Sequence, residues 1–99
     1  MNEFHYYTLK DKMPVGTNDV LEWGRFFQVD SNRRVNDTLI DDIRISTVFL
    51  GLEHLGGMFE TMIFGGEWGG ENEYLERCET WEAAETMHRE AVDLVKMKR

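Results

Sequence analysis

Ninety-nine residues bound the chain to one domain, residues 1–99, at the small end of the usual range. A composition of 41% hydrophobic and 12% aromatic residues excludes disorder over most of the length. Nineteen acids against eleven bases give a net charge of −8, which sets the surface against a phosphate backbone and against anionic membranes. No apolar run approaches the roughly 20 residues of a membrane-spanning helix. The start, Met1-Asn2-Glu3-Phe4-His5, lacks the pattern of a signal peptide. The single cysteine, Cys78, cannot close an internal disulfide, so a reducing cytosol is expected.

Residues 4–9 (FHYYTL) are aromatic and β-prone and predict a short strand, ended by Pro14 and Gly16. Asp19 and Glu22 have capping-box spacing, and Val20, Trp23, Gly24 and Phe27 fall on one face of a helix over 19–28. Asp30-Ser31-Asn32 then breaks the chain. A β-meander follows: a mostly polar strand over 33–40, a turn at Asp41-Asp42, and the strongest strand over 43–52 (IRISTVFLGL). Gly56-Gly57 marks the next reversal, residues 59–64 (FETMIF) a further strand, and residues 65–70 (GGEWGG) a glycine-rich loop around Trp68. Residues 73–79 pair back as a last strand. Seven of the nine glycines lie between Gly51 and Gly70, where tight turns demand them. Thr80 is the N-cap of a final helix running to about Lys96, with Trp81, Ala84, His88, Ala91 and Val95 as its apolar stripe. The fold class is therefore α+β: an antiparallel four- to five-stranded meander with two helices on one face, in the order β-α-β-β-β-β-α.

Alternation places Ile43, Ile45, Thr47 and Phe49 on one face of the strong strand and Arg44, Ser46, Val48, Leu50 and Leu52 on the other. Neither face is polar throughout, and two helices cover only one. A second copy of the chain is the expected cover for the other, so a homodimer is expected, packed sheet on sheet or paired through edge strands.

The acids are unevenly spread. Glu67, Glu71, Glu73, Glu76, Glu79, Glu82 and Glu85 share their stretch with one base, Arg77. The plain interpretation is a solvated hairpin and helix start; the sharper one is a surface that imitates nucleic acid or docks on a basic partner. Three histidines, His5, His54 and His88, each have a carboxylate nearby in sequence, yet none has metal-ligand spacing. His54 follows Glu53 at a strand end, a reasonable ligand position. His88, on the apolar stripe, fits a satisfied core histidine. Convergence of His54 and His88 with Glu60 would make an acid–base or metal site. Cys78 sits among acids, which raise a thiol pKa and blunt it as a nucleophile. The loop GGEWGG has no lysine and opens no helix, so it is not a phosphate loop. Trp68 either packs on the sheet or anchors a ligand or partner. Arg33, Arg34 and Arg44 either meet a small anionic ligand or neutralise neighbouring acids.

The phrases ISTVFLGLEH, FETMIFGG and TWEAAETMH, spread over residues 43–88, resemble a family of small, uncharacterised proteins encoded by tailed bacteriophages and prophages. That family carries patterns of the type STVFLGLDH, FETMVFGG and TWEEAxxGH. Here Glu53 stands in place of Asp and Met87 in place of Gly, and the loop around Gly56 is shorter and lacks the family's prolines. The resemblance implies a phage or prophage origin and expression in the bacterial cytoplasm. It maps the family's repeated residues onto Glu53, His54, Glu60, Trp81 and His88, with no role attached.

These observations favour a non-catalytic phage accessory protein that binds a host protein, as a defence inhibitor or nucleic-acid mimic. The alternative is a dimeric binder of a small ligand such as a nucleotide signal; a hydrolytic enzyme and a virion or assembly component are further classes. The candidate binding residues are Trp68, Glu53, His54, Glu60, His88 and Arg44. No catalytic residue, metal or cofactor is expected.

Overall fold

The computed structural model describes residues 6–68 and 74–98. Of the residues named above, Met1, Asn2, Glu3, Phe4, His5, Gly69, Gly70, Glu71 and Glu73 lie outside them. The chain is α+β. Strands β1 (Tyr6–Lys10) and β2 (Met13–Thr17) form a two-stranded sheet. Helices α1 (Val20–Gln28) and α2 (Asp30–Arg33) follow, then the four-stranded antiparallel meander of β3 (Arg34–Ile40), β4 (Ile43–Phe49), β5 (Phe59–Phe64) and β6 (Tyr74–Cys78). A single 3₁₀ turn, Gly66–Trp68, precedes β6, and α3 (Trp81–Met97) closes the order.

The beginning of the chain departs from expectation. Pro14 and Gly16 do not end a strand but lie in β2, paired with Leu9 and Tyr7. The reversal happens earlier, at Asp11 and Lys12, both with positive φ (51° and 68°), the backbone twist of a tight two-residue hairpin. Proline is tolerated there because β2 has β1 on one side only and Pro14 needs no second ladder partner. The segment expected as a plain break holds the one-turn α2. The strong strand stops at Phe49 rather than Leu52. Gly51, at φ +74°, turns the chain, and its carbonyl accepts from the Tyr7 N–H at 2.9 Å, handing the first hairpin onto the end of the sheet.

Both longer helices begin at side-chain caps. Asp19 accepts from the N–H groups of Leu21 and Glu22 at 3.0 and 3.2 Å, and Thr80 accepts from Ala83 at 3.1 Å. Along α1, Trp23 and Phe27 face inward as the spacing predicts. Val20 is exposed instead, and Phe26 packs in its stead against Phe49.

The sheet divides the molecule. On the inner face Ile45, Thr47, Phe49, Phe59, Thr61 and Ile63 are buried beneath α3, which contributes Ala84, His88, Ala91 and Val95. At one end Tyr7, Phe49, Phe59 and Ala84 cluster with Phe26, Phe27 and Trp81; at the other, Ile45 and Ile63 cluster with Trp68, Ala91 and Val95. The outer face reads in three rows across the strands: Leu39, Arg44, Phe64; then Asp37, Ser46, Met62, Leu75; then Arg34, Val48, Glu60, Arg77. A bulge between Arg34 and Asn36 turns Arg34 outward while Val35 reaches the core.

Candidate functional site

The six candidate residues divide in pairs between a surface cavity, the core and the outer sheet face. His54 and Glu53 share the cavity. It holds about 280 Å³ and is lined by Glu53, His54, Gly57, Met58 and Glu79. The turn that builds it is closed by the Gly57 N–H donating to the His54 carbonyl at 3.0 Å. Gly57 lies at φ +124°, and a Cβ there would stand 2.1 Å from the Cys78 carbonyl oxygen, so only glycine lets the turn lie against β6. Tyr7 donates its hydroxyl to Glu53 Oε1 at 2.8 Å, orienting that carboxylate from the first hairpin. With two carboxylates in its wall, the cavity suits a cationic group and repels a phosphate.

His88 is a core residue, 1% exposed. Its Nε2 meets Thr38 Oγ1 at 2.8 Å and its Nδ1 meets Thr47 Oγ1 at 2.7 Å, and Thr47 is bonded in turn to Thr61. Both ring nitrogens are therefore engaged. Burial pushes the imidazole pKa below its usual value, against the smaller opposing pull of Asp37. The ring ties α3 to β3 and β4, and through Thr61 to β5.

Glu60 lies on the outer face, where Arg77 donates from Nε at 3.0 Å and pairs with it. Because Thr61, the next residue, faces His88's network, Glu60 and His88 sit on opposite sides of the sheet. His54, His88 and Glu60 do not converge. Among the described residues no three His, Cys, Asp or Glu side chains gather to hold a metal ion.

Trp68 is 8% exposed and packs in the core cluster with Ile45, Ile63, Ala91 and Val95. It stands edge-on to Tyr74 and under the Lys98 ammonium, 5.5 Å from its centroid. It packs at one end of the layer between the sheet and α3 instead of standing free as an anchor. Arg44 pairs with Asp37 at 2.9 Å, and this bond holds the Asp37 carboxyl below its usual pKa and raises that of Arg44. Arg33 and Arg34 both pair with Asp30. The three arginines thus neutralise neighbouring acids. The Cys78 thiol is pushed up, as expected of a poor nucleophile, but the cause is burial rather than the neighbouring acids, with a smaller opposing effect of the Thr80 backbone.

Sequence reasoning missed Tyr7, Met58 and Glu79 at the cavity, and Thr38 as a partner of His88. The inward threonines carried a signal. Thr47 and Thr61 at buried alternation positions call for a polar partner, and His88 on the facing stripe is the one available. No protein-family model, curated protein or solved structure matches the chain.

Proposed function

We propose that the chain is a small phage or prophage accessory protein that acts in the bacterial cytoplasm as a homodimer, by binding a host protein and without catalysis. The observation that carries this reading is the segregation of charge. On the sheet side the arginines are committed: Arg33 and Arg34 to Asp30, Arg44 to Asp37, Arg77 to Glu60. On the solvent side of α3, Glu82, Glu85, Glu90 and Asp93 are exposed, and no ion pair among the described residues engages them. Arg89 and Lys96 share that side of the helix, so four carboxylates stand against two bases, a net negative face that complements a basic protein surface. The groups that chemistry would need are otherwise employed: His88 is locked in the core and Cys78 holds its proton.

Native mass spectrometry of the protein purified from a bacterial host tests the reading. A stoichiometric host polypeptide is expected, released at ~1 M salt, where the screening length falls to ~3 Å. The variant Glu82→Gln/Glu85→Gln/Glu90→Gln/Asp93→Asn should lose it while keeping its fold. Retention of the polypeptide by that variant, or the absence of any, overturns the reading.

The cavity beside His54 supports a second reading, a small-ligand binder. Its two carboxylates favour a cationic ligand over the nucleotide signal expected from the sequence. A bound mass of a few hundred daltons that disappears in Glu79→Gln would favour it.

A further inference from the structure

We propose that two copies of the chain pack against each other through the outer face of the four-stranded sheet, a step that rests on the homodimer reading and assigns its interface. Leu39, Phe64 and Leu75 on that face are 71%, 43% and 41% exposed, and Val48 and Met62 beside them are half-buried. The register puts all five on one surface, in adjoining rows. α3, which packs along all four strands, lies on the opposite side. Large apolar side chains grouped on one sheet face are the pattern of an interface rather than of a solvated surface.

Charge selects the occupant. The outer face holds three bases, Arg34, Arg44 and Arg77, against two acids, Asp37 and Glu60, and both acids are already paired there. In a chain of net charge −8 it is a region where both signs are present and nearly balanced. Two copies meeting through their α3 sides would oppose Glu82, Glu85, Glu90 and Asp93 to the same four acids, with only Arg89 and Lys96 on that side to offset them. Two copies meeting through their outer sheet faces bring Leu39, Val48, Met62, Phe64 and Leu75 together, with the Arg44–Asp37 and Arg77–Glu60 pairs, each already neutralised within its copy, interleaved among them. A basic partner finds its complement on α3, not here. The occupant is therefore a second copy of this chain, in an isologous sheet-on-sheet pair.

Size sets the strength. Four strands at ~4.8 Å spacing and about 20 Å of strand length give a footprint on the order of 400 Å². A standard stable interface covers roughly 800 Å² on each partner. The pair is thus concentration-dependent, assembling by mass action rather than being obligate.

Sedimentation velocity of the full chain from about 10 to about 500 µM tests this. The mass of the wild type should rise toward a dimer. Leu39→Lys/Leu75→Lys, at exposed positions that leave the core untouched, should weaken the dimer at least tenfold with unchanged circular dichroism. Leu55→Lys, at a leucine still more exposed but off the sheet, should dimerise like wild type. A wild-type dimer undisturbed by Leu39→Lys/Leu75→Lys overturns the interface and leaves the homodimer standing. A wild type monomeric throughout overturns both. A host polypeptide retained by wild type and lost by Leu39→Lys/Leu75→Lys would seat the partner here and overturn the proposal as well.

Discussion

The two faces of the four-stranded sheet are built from the same strands and the same alternation, yet they obey different rules. The inner face is apolar at both ends and polar in the middle, where Thr47, Thr61 and Thr38 converge on His88. The outer face interleaves the Arg44–Asp37 and Arg77–Glu60 pairs with Leu39, Val48, Met62, Phe64 and Leu75. Inside, a polar group persists because every hydrogen-bonding atom has found a partner; among the described residues no buried side-chain nitrogen or oxygen lacks one. Outside, apolar groups persist without burial. The first arrangement stabilises the protomer and the second does not, so substitutions on the two faces should separate cleanly.

The largest effect is expected at His88. His88→Ala removes a fully buried ring, takes its partner from the half-buried Thr38 hydroxyl and leaves the buried Thr47 hydroxyl with Thr61 alone. Loss of packing and of hydrogen bonds together should cost about 3–4 kcal/mol. In a domain of this size that is a large share of total stability. Urea unfolding followed by tryptophan fluorescence reads it directly. A loss under ~1 kcal/mol would mean that the threonine network is incidental.

The acid limb of stability sharpens the same point. Burial holds His88 neutral in the folded state, with its pKa below the usual 6.5. The unfolded chain therefore binds the proton first, and stability rises with pH wherever it does. The contribution is complete above pH ~6.5 and is lost progressively as pH falls from there through the folded-state pKa. Asp37, the charged neighbour that opposes the shift from the other side of the sheet, reduces the loss without reversing it. Unfolding midpoints measured from pH 7.5 to 5 should fall in the wild type. They should be flatter across that window in His88→Gln, which has no proton to take up there. Equal slopes in both would place the titrating group elsewhere.

Much of this architecture was legible in residues 34–98, where strand alternation, paired glycines and the spacing of Ala84, His88, Ala91 and Val95 all agree. The opening hairpin was not, because its turn uses Asp11 and Lys12 rather than the Asn-Gly or Asp-Gly pair that signals positive φ, and because Pro14 masquerades as a stop. The candidate site was less legible than the fold. Glu53 and His54 are adjacent in sequence, so their sharing of a cavity was readable. Glu79 joins them only because Gly57 lets the turn lie against the end of β6, a contact between residues far apart in the chain. Trp68 was open between packing on the sheet and anchoring a ligand or partner because its neighbours are glycines and acids. The left-handed Gly65 and Gly66 fold it back into the core, a geometry that local composition does not encode.

The smallest effect belongs to the outer face, and there smallness is the informative result. Leu39→Ser removes a side chain that is 71% exposed in the protomer, so little apolar area is withdrawn from burial on folding. The stability of the dilute protein should change by no more than ~0.5 kcal/mol. Ile45→Ala, on the strand paired with it but facing inward and 0% exposed, should cost about 2–4 kcal/mol in the same urea assay. If Leu39→Ser were as costly at low micromolar concentration as Ile45→Ala, the outer face would already be buried there, and the dimer would have to be tighter than its footprint allows. If both were mild, the inner layer would not be the core that its packing describes. Only a wide gap in dilute solution, narrowing as the concentration is raised, fits one face that folds the chain and another that joins two of them.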